Sequence, residues 1–219
     1  MADIFDEVEE DLRAERARQF AKRYGGLLAL AVLLALAAVA GWQAWRWYQL
    51  RQDRAAASVY LTAMQEADAA AGAGPARQAA IDGFAKVAAE GPAGYRTVAR
   101  LREASLKADA GDRAGAEALW DAVAADRDAD RLLRDLASLL WVEHQIDDGD
   151  AATLQARLKP LTQPTNPWHG LAQEAQALLD MRQGQDAAAK EQFRSLSRDP
   201  TVSEGVRARA TGLLARLGG

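Results

Sequence analysis

The chain contains no cysteine among its 219 residues. That excludes disulfides, thiol nucleophiles and cysteine-ligated zinc. Only two histidines occur, His144 and His169, and they are not at metal-ligand spacing. Acid pairs such as Asp128 with Asp130 and Asp147 with Asp148 lack the oxygen-ligand loop of a calcium site. They read as turn and helix-cap residues. There is no phosphate-binding glycine loop, no dinucleotide fingerprint and no nucleophile elbow around any serine. No catalytic, cofactor-binding or metal residue is therefore assigned, and no small-molecule substrate is expected. A basic excess is missing too. The net charge of −4 argues against a nucleic-acid binder that relies on a basic surface.

Charge is also missing from one stretch. None occurs in the 22 residues from Tyr24 to Trp45. At 1.5 Å per helical residue such a span reaches roughly 33 Å, against about 30 Å for a hydrocarbon core. Six leucines and two valines between Leu27 and Val39 favour insertion by at most about 2.4–4.8 kcal/mol. Trp42, Trp45, Trp47 and Tyr48 crowd its C-terminal edge, where amphipathic rings suit a membrane–water interface. A buried core helix is the plainer reading, but core helices rarely lack charge for so long. A cleaved signal peptide is another rival, with Ala38-Val39-Ala40 as its cleavage site. The long preceding region with seven acids and the aromatic edge favour a retained anchor. Arg13, Arg16, Arg18, Lys22 and Arg23 precede the span, and Arg46, Arg51 and Arg54 follow it. That bias puts the N-terminus in the cytosol and the rest outside. Ahead of the span, Ile4, Phe5, Val8 and Leu12 outline one face of an amphipathic helix.

The remainder is rich in alanine, leucine, arginine and acids, with no convincing period-two strand. Helical patterns alternate with Gly, Pro and Asp punctuation. They include Ala55–Ala71, Arg131–Asp147 and a final Ser203–Leu217. A repeat runs through them. Pro75, Gly111, Gly149 and Gly184 are each followed five residues later by Ala80, Ala116, Leu154 and Ala189. Nine residues later stand Phe84, Trp120, Leu158 and Phe193. Glycine lets the backbone reverse. The residue five on lets two helices approach, and the large one fills the gap between neighbouring hairpins. One hairpin cannot bury that face, whereas a stack can.

These positions resemble the second helix of tetratricopeptide repeats. Ala104 and Ala177 fall on a small-residue position of the first helix, while Lys107 and Asp180 stand where such repeats favour tyrosine. The expected fold is all-α: one transmembrane helix, then a tetratricopeptide-like α-solenoid of about four hairpins with a capping helix. The expected divisions are residues 1–23 as a cytosolic tail, 24–48 as the span with its aromatic edge, and 49–219 as the extracytoplasmic repeats.

The whole layout is similar to the YfgM-like family, the membrane-anchored ancillary subunit of the Sec translocon. Local resemblances are Asp3-Ile4-Phe5 with Glu7-Val8, and Pro167-Trp168 followed by Leu171, Ala172, Glu174, Ala177, Leu178 and Leu179. The resemblance implies a bacterial inner-membrane protein with periplasmic repeats and no enzymatic activity. It implies protein partners, namely the Sec channel and periplasmic chaperone-like folding factors. The rival is an anchored or secreted adaptor for another cell-envelope complex. Trp141 and Trp168 are either core packing or groove anchors for a partner segment, since aromatic side chains dominate binding hot spots.

Overall fold

A computed structural model describes the backbone of residues 3–69 and 74–218, with side chains from residue 22 on except at Gly25. The apolar face expected on Ile4, Phe5, Val8 and Leu12 falls outside the described side chains, and Ala71 falls outside the described residues. The described residues form nine α-helices and no strand. They are α1 Asp3–Ala69, α2 Pro75–Glu90, α3 Ala93–Asp109, α4 Arg113–Ala125, α5 Arg131–Glu143, α6 Ala151–Leu158, α7 His169–Arg182, α8 Asp186–Arg198 and α9 Glu204–Arg216.

The chain divides into two units, Met1–Gln52 and Asp53–Gly219. In the first, α1 carries an apolar stretch long enough to cross a membrane, and none of it is buried within the protein. Leu27, Leu33 and Val39 are each more than 60% exposed. Apolar surface of this extent is costly in water and well solvated in lipid.

In the second unit the helices pair as antiparallel neighbours, and short local signals set their ends. Asp112, Asp130 and Asp150 cap α4, α5 and α6 by accepting from the amides of Gly115, Leu132 and Thr153 at 3.0, 2.7 and 2.8 Å. Each such cap contributes about 1 kcal/mol. Helices α3 and α7 end in the same way. Gly111 and Gly184 adopt φ of 87° and 74°. The next amides, of Asp112 and Gln185, then donate back to the carbonyls of Lys107 and Asp180 at 2.8 Å. A left-handed residue with this back-bonding closes a helix, and glycine adopts it without strain.

The third hairpin turns differently. The sequence pattern carries α5 on to Asp147, but the helix stops at Glu143. Two carbonyls of the following turn are taken elsewhere: Arg182 donates to Ile146 O at 2.9 Å and to Gly149 O at 2.7 Å. Gly149 is needed for closeness rather than handedness. A Cβ there would stand 2.8 Å from the Gln145 carbonyl oxygen.

The core is a row of four clusters, each built from one hairpin and the first helix of the next. Ala63 of α1, Ala80, Phe84 and Val87 of α2, and Ala99 of α3 form one. Leu101 and Ala104 of α3, Ala116, Trp120 and Val123 of α4, and Ala137 of α5 form another. Leu139 and Val142 of α5, Leu154 and Leu158 of α6, and Ala172 and Leu179 of α7 form a third. Ala177 of α7, Ala189, Phe193 and Leu196 of α8, and Val206 and Ala210 of α9 form the last. Phe84, Trp120, Leu158 and Phe193 are fully buried, one in each cluster. Each contributes about 1.5–3 kcal/mol of apolar burial. Helix α9 has no partner of its own and closes the last cluster. This nearest-neighbour arrangement is an α-solenoid.

Candidate functional site

First helices α5, α7 and α9 line one groove of about 540 Å³. Each has two working faces. On α5, Ala137 and Val142 point into the core, while Leu136 and Leu140 stay half-buried at the groove. On α7, Ala172 and Leu179 are core, while Leu171 and Leu178 line the groove. From α9 comes Leu213, and from the turn after α5 comes Ile146. The result is an apolar trough whose walls keep part of their surface open.

Three charged side chains lie in this trough: Glu143, Glu174 and Arg209. Glu174 is buried, at 6% exposure. Arg209 satisfies it with two hydrogen bonds of 2.6 Å, from Nε to Oε1 and from Nη2 to Oε2. A bidentate pair of this kind suits a carboxylate withdrawn from water. Glu143 is different. It forms no salt bridge among the described residues, and it shares the groove with leucine side chains. Burial pushes its pKa above the usual carboxylate value. His144 and Arg209 oppose that rise, and Glu174 adds to it. The residue is nonetheless exposed at the edge of the groove, so its carboxylate keeps contact with water and stays within reach of a partner.

A second hollow of about 510 Å³ is polar. Gln155 and Lys159 contribute from α6 and its end, Gln173 and Gln176 from α7, and Gln192 and Ser195 from α8. Buried Asp180 accepts from Gln176 Nε2 at 2.8 Å and Gln192 Nε2 at 2.6 Å, so the amides are held in place.

The two aromatic candidates stand outside the groove lining. Trp141 is half-buried against two core clusters, with the Arg157 guanidinium 3.7 Å above its ring. Trp168 donates from Nε1 to Leu132 O at 2.9 Å and packs on the third cluster. The His144 ring lies tilted by 43° against Trp120 with centroids 4.4 Å apart, and its Nδ1 lies 2.9 Å from Leu140 O. His169 contacts Asn166 O and Thr201. No group of three or more metal-capable side chains exists among the described residues. In the first unit, Trp42, Trp45, Trp47 and Tyr48 are exposed on α1, with Arg51 5.1 Å from the Trp47 ring.

The sequence reading passed over the groove. Its signal is a second apolar stripe on the first helices, with Leu136, Leu140 and Glu143 at spacings of four and three, and Leu171, Glu174 and Leu178 at three and four.

A family model described as a tetratricopeptide repeat-like domain matches residues 18–210. No curated protein and no solved structure matches the chain.

Proposed function

Because the chain belongs to the tetratricopeptide repeat-like family, we propose that it is a membrane-anchored, non-enzymatic scaffold that holds a protein segment in the α5–α7–α9 groove. One observation carries this reading: a trough of half-exposed leucines lies in a chain that also bears a helix of membrane-spanning length. An apolar trough of this size, rimmed by charge, suits a protein segment. A membrane anchor raises the effective concentration of the repeats near any partner in the same membrane.

The finer assignment is an ancillary subunit of the Sec translocon that links the channel to periplasmic folding factors. Its N-terminus is cytosolic, its span crosses the inner membrane, and its repeats lie in the periplasm. The resemblance to the YfgM-like family and the excess of basic residues ahead of the span support this. The mechanism is proximity. Channel and folding factor are held close to one emerging chain, with no covalent step.

Crosslinking in cells followed by mass spectrometry tests the assignment. Adducts with translocon subunits and periplasmic folding factors, on a chain that retains its N-terminal region, are the expected result. Adducts confined to another envelope complex would overturn the translocon assignment. A chain that begins at Gly41 would overturn the anchor.

A further inference from the structure

The groove has a charge pattern of its own. Two carboxylates and one guanidinium lie in it, so one negative charge is left over. Arg209 is committed to Glu174 through both of its 2.6 Å hydrogen bonds. The unmatched charge is therefore on Glu143. The adjacent His144 forms no ion pair with it among the described residues: its ring lies tilted against Trp120 and its Nδ1 lies 2.9 Å from Leu140 O. Glu143 is open to water in the free protein, but an apolar segment laid in the groove would strip water from its carboxylate unless it brought a cation to it.

We propose that the occupant of the groove is an apolar protein segment carrying one lysine or arginine, and that Glu143 is the residue that reads that base. This rests on the reading of the groove as a protein-binding site. Leu140, Leu171, Leu178 and Leu213 take the apolar side chains. The base meets Glu143 as the segment excludes water, which strengthens the pairing. An acidic segment meets two carboxylates and no free cation, so the groove discriminates by repulsion as well as attraction.

Fluorescence anisotropy on the full chain in nanodiscs of zwitterionic lipid tests this, with empty nanodiscs as the blank. The probes are three fluorescein-labelled peptides with leucines at helical spacing. They differ at one central position, which is lysine, norleucine or glutamate. The lysine peptide is expected to bind about tenfold tighter than the glutamate peptide. Glu143→Gln should bring that ratio within about twofold. Glu143→Lys should reverse the order. Equal binding of the three peptides, or an order unchanged in Glu143→Gln, overturns the charge reading. If binding persists there and is lost in Leu178→Gln, the groove itself stands. Failure of all three peptides to bind overturns both.

Discussion

Arg209 of α9 and Glu174 of α7 lie 35 residues apart and are joined by two hydrogen bonds of 2.6 Å. That separation is one repeat. The same step recurs in other polar contacts. Arg113 reaches Asp148 at a separation of 35, Arg157 reaches Asp121 at 36, and Trp168 reaches Leu132 O at 36. The buried Phe84, Trp120, Leu158 and Phe193 are spaced by similar steps. From α4 onward, polar contacts thus tie a repeat to its neighbour at about the interval at which the core fills. In a solenoid, stability comes from such neighbour interfaces and not from one central core.

All four core clusters draw their buried residues from position 63 onward. A fragment of residues 49–219 should therefore fold without the span. The expected product is soluble, strongly helical by circular dichroism, cooperative in urea, and absent from membrane pellets. An unfolded fragment would place part of the repeat fold in the removed residues.

The Arg209–Glu174 pair also supplies a stability test. Arg209→Gln leaves a buried carboxylate with poorer partners and should cost about 1–3 kcal/mol. The double variant Glu174→Leu with Arg209→Met removes both charges and should recover most of that loss. Urea midpoints of the 49–219 fragment measure both. A double variant no better than Arg209→Gln would mean that the arginine acts through packing rather than charge.

Two glycines predict opposite signs. Gly184 sits at φ of 74° and closes α7, so Gly184→Ala forces a side chain into the left-handed region and should destabilise by about 1–2 kcal/mol. Gly212 lies inside α9 with open space around it. Gly212→Ala should stabilise by up to about 1 kcal/mol. Thermal unfolding of the two variants checks the contrast. Equal shifts of one sign would show that the turn and helix assignments are wrong.

The features legible in the sequence were local ones. The spacing of Ala80 to Phe84, Ala116 to Trp120 and Ala189 to Phe193 records a helix that packs on both neighbours, and Gly111 and Gly184 record turns closed by their own backbone. The end of α5 was not local. The Gln145 amide turns to Val142 O at 3.0 Å where the helix stops, and Arg182, 36 residues beyond Ile146, holds two carbonyls of the turn that follows. The groove was hidden for another reason. Leu136, Leu140, Leu171 and Leu178 repeat at helical spacing, but leucine also fills the core at Leu154 and Leu179, so the spacing marks a second stripe without saying whether another helix covers it. Trp141 and Trp168 drew attention by size, yet the groove is walled by leucines.

Acid should weaken the repeat domain in a defined window. The Arg113 guanidinium holds the Asp148 carboxyl below its ordinary value of 3.8. Lys107 and the Gly115 amide do the same for Asp112, and the hydroxyl and amide of Thr153 and Thr201 for Asp150 and Asp199. The folded chain therefore favours the charged forms. Their contribution is fully present above about 3.8 and is lost as the pH falls through the lowered values. Glu103 and Glu143 work the other way. Burial raises both above 4.5, so their contribution is present below that value and fades as the pH rises through the raised ones. Stability should thus hold or rise slightly between about pH 7 and 5 and fall below about pH 4. Urea midpoints of the 49–219 fragment across that range give the profile. Asp148→Asn should flatten the acid limb, because the neutral amide cannot titrate. A limb as steep as in the parent would mean that the Arg113–Asp148 contact gives no preference to the charged carboxylate.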